Sequence, residues 1–177
     1  QLLSITSCTK CDNVSTNHDP ILVISISIKD KNKNIYDCLN NYIKVDKLDN
    51  NNLWKCDKCK QKNQPERKLM FWNLSDILII QLKRFTNTGI KKNQYIEYPE
   101  ILNMNKYSMN YEENSMKFKL MGLCIQDGSL HGGHYYAICK NELDKKWHIY
   151  NDTNVSDISR TEVFNKKPYC LFYKRID

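Results

Sequence analysis

Two groups of residues in this sequence have the types and spacing for chemistry. The first lies in "GSLHGGHYYAICK", residues 128–140, where Gly132 and Gly133 lead directly into His134 at the head of an alternating run. Imidazole changes charge near neutral pH and is the commonest general base. With a period of two, His134, Tyr136 and Ile138 share one strand face. The following run, "KKWHIYNDTNV" (145–155), predicts a second strand, and a hairpin joining the two returns Asn151 or Asp152 to the neighbourhood of His134. Alternation sends those two side chains to opposite faces, so one of them is expected to be the primary partner. A histidine with an amide or carboxylate orienter is the base half of a nucleophilic dyad or triad. Where the nucleophile is a thiolate the imidazole already holds its proton, so the orienter needs only an acceptor oxygen, and Asn serves as well as Asp. Four of the five glycines (Gly122, Gly128, Gly132 and Gly133) crowd this approach, which lets a substrate backbone come close. A hairpin loop with a core histidine would read the same on this stretch alone.

The second group is cysteine. "CTKC" (8–11) and "CDKC" (56–59) are two CxxC pairs, each with a Lys between its cysteines. A CxxC turn aims two sulfurs at one point, and two such turns complete a tetrahedral thiolate cage for zinc, with Cys8, Cys11, Cys56 and Cys59 as ligands. Four thiolates leave no open coordination position, so the zinc is expected to be structural. Disulfides would need an oxidising compartment, and "QLLSITSC" lacks the basic start and long apolar core of a secretory leader. Cys38, Cys124, Cys139 and Cys170 fall on a helical stripe or within strands and read as small core residues, none at a helix N-terminus that would activate a thiol.

The elements that must position these residues are mostly strands. "ILVISISIK" (21–29) places Leu22, Ile24, Ile26 and Ile28 on one side. "NIYDCLNNYIKV" instead carries Ile35, Cys38, Leu39, Tyr42 and Ile43 on one stripe of a short helix that Asn34 can cap. Further strands are predicted over 67–73, 76–85, 117–125, 134–140, 146–151 and 168–174. A mainly antiparallel sheet with one short helix leaves a sheet face uncovered, for another segment or a partner to bury. At 177 residues the chain can hold one domain or two small lobes. The net charge of +7 is spread through Lys/Asn-rich loops without an aromatic and basic stripe, which argues against nucleic acid, and no run approaches the length of a membrane span.

The order of "CTKC", "LWKCDKCKQKNQPERK", "LIIQLKRF", "YPEILNM", "GGHYYAIC", "WHIYNDTNV" and "CLFYKR" resembles the ubiquitin-specific proteases, the papain-like cysteine deubiquitinases, over nearly the whole chain. The resemblance implies an α+β fold, mainly antiparallel β. It joins a zinc-bound finger lobe (about residues 1–75) to a palm sheet (about 76–177), making residues 1–177 one partial catalytic domain without its thumb lobe. It makes His134 the base, Asn151 its orienter and Asp152 an assisting acid, with Gly132, Gly133 and Tyr135 as substrate-binding residues along the path of ubiquitin's diglycine tail. It also makes Cys8, Cys11, Cys56 and Cys59 the ligands of one structural zinc ion. A histidine that the family often has eight residues before the base is Gln126 here. The family's nucleophilic cysteine box lies upstream of the first CxxC, and only seven residues precede Cys8. The nucleophile is therefore expected upstream of this chain, and residues 1–177 alone are expected to be inactive. The implied activity is thiol-dependent hydrolysis of the bond after ubiquitin's C-terminal glycine, in the cytoplasm or nucleus. Its implied partners are ubiquitin or a ubiquitinated protein, and a thumb segment in cis. The alternative is a non-catalytic ubiquitin-binding module or scaffold.

Overall fold

The computed structural model of the chain describes residues 1–47, 53–109 and 116–176. The two CxxC turns each close a hairpin. β1 (Leu2–Ser7) and β2 (Val14–Asp19) flank the first, and β5 (Trp54–Lys55) and β6 (Lys62–Asn63) flank the second. Between these hairpins come β3 (Val23–Ser27), α1 (Ile35–Ile43) and β4 (Asp46–Lys47). After them run β7 (Glu66–Phe71), β8 (Ile77–Lys83), β9 (Ile101–Asn103), β10 (Lys117–Gly128), β11 (Gly133–Lys140), β12 (Trp147–Asn151), β13 (Asn154–Ile158), α2 (Arg160–Phe164) and β14 (Cys170–Ile176). The strands build a four-stranded sheet, ordered β2-β1-β7-β4, and an eight-stranded one, ordered β13-β12-β11-β10-β14-β8-β3 with β9 on β10. The architecture is thus mostly β, as the sequence predicts.

Alternation decides which face of the large sheet is the core. Ile24 and Ile26 on β3, Leu78, Ile80 and Leu82 on β8, and Leu171 and Tyr173 on β14 are buried together. Ile35, Cys38 and Leu39 of α1 press onto that face. The helix starts where predicted because Asn34 accepts the Asp37 N–H at 2.9 Å and the Asp37 carboxylate accepts the Asn34 N–H in return, a reciprocal cap whose loss costs about 1 kcal/mol. On the opposite face Ile79, Phe172, Cys124 and Cys170 are only half-buried, and Val23, Ile77, Tyr150 and Val155 are exposed. No described element covers that face. Among the described residues no helix is long and apolar enough to cross a membrane.

Several expectations need correction. The predicted strand at 21–29 is shorter, and Leu22 lies outside it, 91% exposed, while Ile24, Ile26 and Ile28 are buried. β3 also runs parallel to β8. Parallel neighbours need a long crossover, and here α1 together with β4 to β7 supplies it, so β3 and α1 sit with the large sheet although they fall within the first 75 residues. β1, β2, β4, β5, β6, β9, β13 and α2 have no counterpart among the predicted elements. The exposed β2 has no apolar alternation to find, but α2 carries a legible signal: Ser159 and Glu162 form an S-x-x-E capping box. Ile80→Ala, at a fully buried position, should lower stability by about 2–5 kcal/mol in chemical denaturation, whereas Leu22→Ala should stay within about 0.5 kcal/mol.

Candidate active site and metal centre

His134 stands at the mouth of the β10–β11 hairpin, directly opposite Asp127. The hairpin closes with Gly128 paired to Gly133, and Gly128 takes φ +88°. A Cβ at Gly133 would lie 2.8 Å from the Asp127 carbonyl oxygen and 2.9 Å from that of Ser129, so only glycine fits there. The buried Gln126 amide donates to those same two carbonyls, at 3.0 and 3.1 Å. Gln126 thus acts as a staple for the chain's own turn. A Cβ at Gly132, in contrast, would meet only the Ser129 hydroxyl, at an ordinary 3.9 Å. Of the glycines singled out in the sequence, Gly133 is required by the hairpin itself and Gly132 is not.

The β11–β12 ladder, with Ala137 opposite Tyr150 and Ile138 opposite Ile149, carries the chain back to the histidine. Asn151 Oδ1 lies 2.5 Å from His134 Nε2, and Asp152 Oδ2 lies 3.8 Å from the same nitrogen. The expectation that alternation admits one partner therefore holds for the close contact only. Asp152 has left the strand at φ +51° in the turn that pairs Asn151 with Asn154, and its carboxylate swings to the same side. The Asp152 side chain is 76% exposed, so solvent screens its contribution. An amide oxygen only accepts, so Nε2 carries a proton and Nδ1 remains free to take one up. On the other face of β11, at the next position, Tyr135, exposed, packs edge-on against Tyr169 at 5.7 Å, and Phe85 lies 6.5 Å from Tyr169. Gln81 donates to the Tyr169 hydroxyl at 2.8 Å, holding this aromatic wall against β8.

The four predicted ligand sulfurs converge. Cys8, Cys11, Cys56 and Cys59 Sγ lie within 4.8 Å of one another, with Cys8–Cys59 at 3.9 Å and Cys11–Cys56 at 3.7 Å. A tetrahedron with metal–sulfur bonds of about 2.3 Å has edges of about 3.8 Å, so the cage has the right size. An Asn13 backbone hydrogen bond works to lower the Cys11 thiol, but burial and the Cys8, Cys56 and Cys59 sulfurs push it up to about 12. Cys56 moves the other way. Against desolvation, the Cys59 and Lys58 backbone N–H groups, with the Cys11 and Cys59 side chains, draw it down to about 6. Four crowded sulfurs resist ionising together, and a cation at their centre removes that conflict. The surroundings already suit thiolates: the Asn63 amide donates to Cys8 Sγ at 3.3 Å, the Asn13 amide to Cys56 Sγ at 3.4 Å, and the Lys10 N–H to Cys8 Sγ at 3.4 Å. These residues could hold a metal ion.

Asn13 and Asn63 escaped the sequence reading. Asn63 is buried and also accepts from the Thr9 hydroxyl at 3.3 Å, lacing one hairpin to the other across 54 positions, which no local pattern announces. The remaining cysteines are free thiols that burial pushes up, Cys38 and Cys170 to about 11, so none carries the signature of an activated nucleophile.

Comparison with known proteins agrees with this geometry. The family model for ubiquitin carboxyl-terminal hydrolase matches residues 1–173. The chain is 35% identical over 178 residues to a probable ubiquitin carboxyl-terminal hydrolase of Acanthamoeba polyphaga mimivirus, covering 96% of this chain and 38% of that protein. It is 34% identical over 180 residues to ubiquitin carboxyl-terminal hydrolase 8 of Saccharomyces cerevisiae, covering 94% of this chain and 38% of that one. Among solved structures, the SAGA Ubp8/Sgf11/Sus1/Sgf73 DUB module bound to ubiquitin aldehyde superposes with a TM-score of 0.86 at 32% identity, over 99% of this chain and 41% of that chain. This chain belongs to the ubiquitin carboxyl-terminal hydrolase family, and it spans well under half the length of each of these relatives. Asn63→Leu, which removes the donor to Cys8, should weaken metal retention by about 10–100-fold in competition with a chromophoric chelator.

Proposed function

We propose that this chain is the finger and palm part of a cysteine deubiquitinase, which hydrolyses the isopeptide or peptide bond after ubiquitin's C-terminal glycine. The observation that carries this reading is the contact between His134 Nε2 and Asn151 Oδ1, which orients the ring and leaves Nδ1 for a thiol. Family membership supports it, as does a relative solved with ubiquitin aldehyde bound. The finger lobe is then the four-stranded sheet with the cage, within residues 1–75. The palm is the eight-stranded sheet of residues 76–177, joined by β3 and α1. The half-exposed outer face of that sheet suits a thumb segment of the same, longer polypeptide. The nucleophilic cysteine is assigned to that segment, because every thiol outside the cage is held protonated by burial.

In this mechanism His134 Nδ1 takes the nucleophile's proton, giving a thiolate–imidazolium pair whose positive ring Asn151 holds in place. The thiolate attacks the glycine carbonyl carbon, and the amine leaves with the proton from His134. Water, deprotonated by the same ring, then attacks the thioester and frees both ubiquitin and the thiol. Base catalysis of this kind contributes about 10² to 10⁴ in rate. Asp152 adds a second, screened acceptor beside the ring. Tyr135 and Gly132 border the path of the diglycine tail, and Gly133 keeps the turn narrow. The metal is zinc, held by Cys8, Cys11, Cys56 and Cys59. Its four thiolates leave it no substrate position, so its role is to hold the two finger hairpins together. Free thiols throughout and a thiolate cage suit the reducing cytoplasm or nucleus.

In the full-length protein, assayed on ubiquitin with a fluorogenic C-terminal amide, His134→Ala should abolish turnover while ubiquitin affinity persists. Asn151→Ala should lower kcat by about 10²-fold, and Asp152→Asn by only a few-fold. Full activity in His134→Ala sinks the assignment, and a wild-type protein that binds ubiquitin without turning it over makes the chain a binding module. Metal analysis should give one zinc per chain. Its removal should cost about 10 kcal/mol of local folding energy, seen as lost amide protection across β1, β2, β5 and β6.

A further inference from the structure

Arg84, one residue past β8, is buried with 1% of its surface exposed. Its Nε donates to the Pro168 carbonyl at 2.7 Å, and Nη1 to the carbonyls of Lys92 at 3.0 Å and Gln94 at 2.9 Å. Every partner is neutral, and Nη2 has no acceptor among the described residues. Desolvation draws the guanidinium down to about 10, so it remains charged at neutral pH. Cys38 and Tyr98 lie close by, and burial raises both, leaving them neutral. A buried cation without a counter-ion is costly, and no carboxylate of the described chain supplies one here.

Arg84 is among the residues lining a cavity of about 360 Å³, together with Lys91, Gln126, Asp127, Tyr136, Lys166 and Lys167. None of the three lysines has a carboxylate within 4.0 Å among the described residues, and Lys91 Nζ donates instead to the Gln126 carbonyl at 2.5 Å. Asp127 is the one acidic group in the lining, against four cations. The cavity therefore combines excess positive charge with a buried arginine that has an unanswered N–H.

We propose that this cavity binds a phosphate monoester. Its dianionic oxygens would meet Lys166 and Lys167 at the mouth and offset the charge of Arg84 beneath. The volume exceeds that of phosphate, and Ile125 and Tyr136 provide a wall for the organic part. Tyr136 lies two positions beyond His134 on the same strand face, and Asp127 is the cross-strand partner of His134. An occupied cavity thus abuts the hairpin that holds the proposed base, although its binding is independent of any catalytic role.

Isothermal titration of the full-length protein with phenyl phosphate, inorganic phosphate and phenol tests this directly. Phenyl phosphate should bind one per chain with a Kd of about 1 mM or tighter, and phenol should not bind. The double variant Lys166→Ala/Lys167→Ala should weaken binding by about tenfold or more, whereas Lys47→Ala/Lys68→Ala, on the four-stranded sheet, should leave it unchanged. Inorganic phosphate binding as tightly as phenyl phosphate would identify free phosphate as the ligand, and tighter phenyl phosphate identifies an ester. No saturable heat up to about 10 mM, or equal affinity in the Lys166→Ala/Lys167→Ala variant, overturns the proposal.

Discussion

The register of β10 against β11 and of β11 against β12 is the constraint on which the rest of the structure depends. A slip of one residue in either ladder would send every side chain to the opposite face, parting His134 from Asn151 while leaving the sheet itself intact. The chain resists that slip at several points. Gly128 and Gly133 close the first hairpin at one residue pair only, because the backbone approach at Gly133 excludes a Cβ. Gln126 bonds two carbonyls of the same turn. Farther along, Leu123, Ile138 and Ile149 lie on the buried face of three successive strands, so a shifted register would expose one of them.

The cage solves a different problem. β5 and β6 are two residues each, and β2 is exposed along its whole length. Such hairpins bury too little apolar surface to be stable alone. Sulfur and amide contacts replace a core there: Asn63, Thr9 and the four thiols connect segments more than 40 residues apart. One end of the chain is therefore held by sulfur and amide contacts around four thiols that could hold a metal ion, and the other by packed Ile, Leu and Tyr.

The large sheet is asymmetric in a way that bears on function. Its inner face is sealed by α1, α2 and the segment around β9, whereas its outer face shows half-buried Phe172, Ile79 and three cysteines. Apolar surface of this kind is retained where something covers it. The aromatic wall of Tyr135, Tyr169 and Phe85 belongs to that outer face, whereas His134 shares the inner face of β11 with Tyr136 and Ile138, so adjacent residues of one strand serve the two sides of the sheet.

The chemistry-bearing residues were legible because their spacing is local. CxxC, a glycine pair before a histidine, and an Asn–Asp dipeptide at a strand end are short-range patterns, and period-two alternation located most strands of the large sheet and the face that His134 occupies. The Asn34 cap and the apolar stripe of α1 were equally readable. What the tertiary structure alone decided is how distant pieces meet: the parallel placement of β3, the lacing by Asn63, and the isolation of the Arg84 charge. Asp152 reaches the histidine only because a left-handed turn residue breaks the alternation that a strand would impose. Each of these depends on contacts between residues far apart in the chain or on one backbone dihedral. Residue types repeat with a period that a sequence displays, whereas long-range partners and single dihedrals leave no period to read.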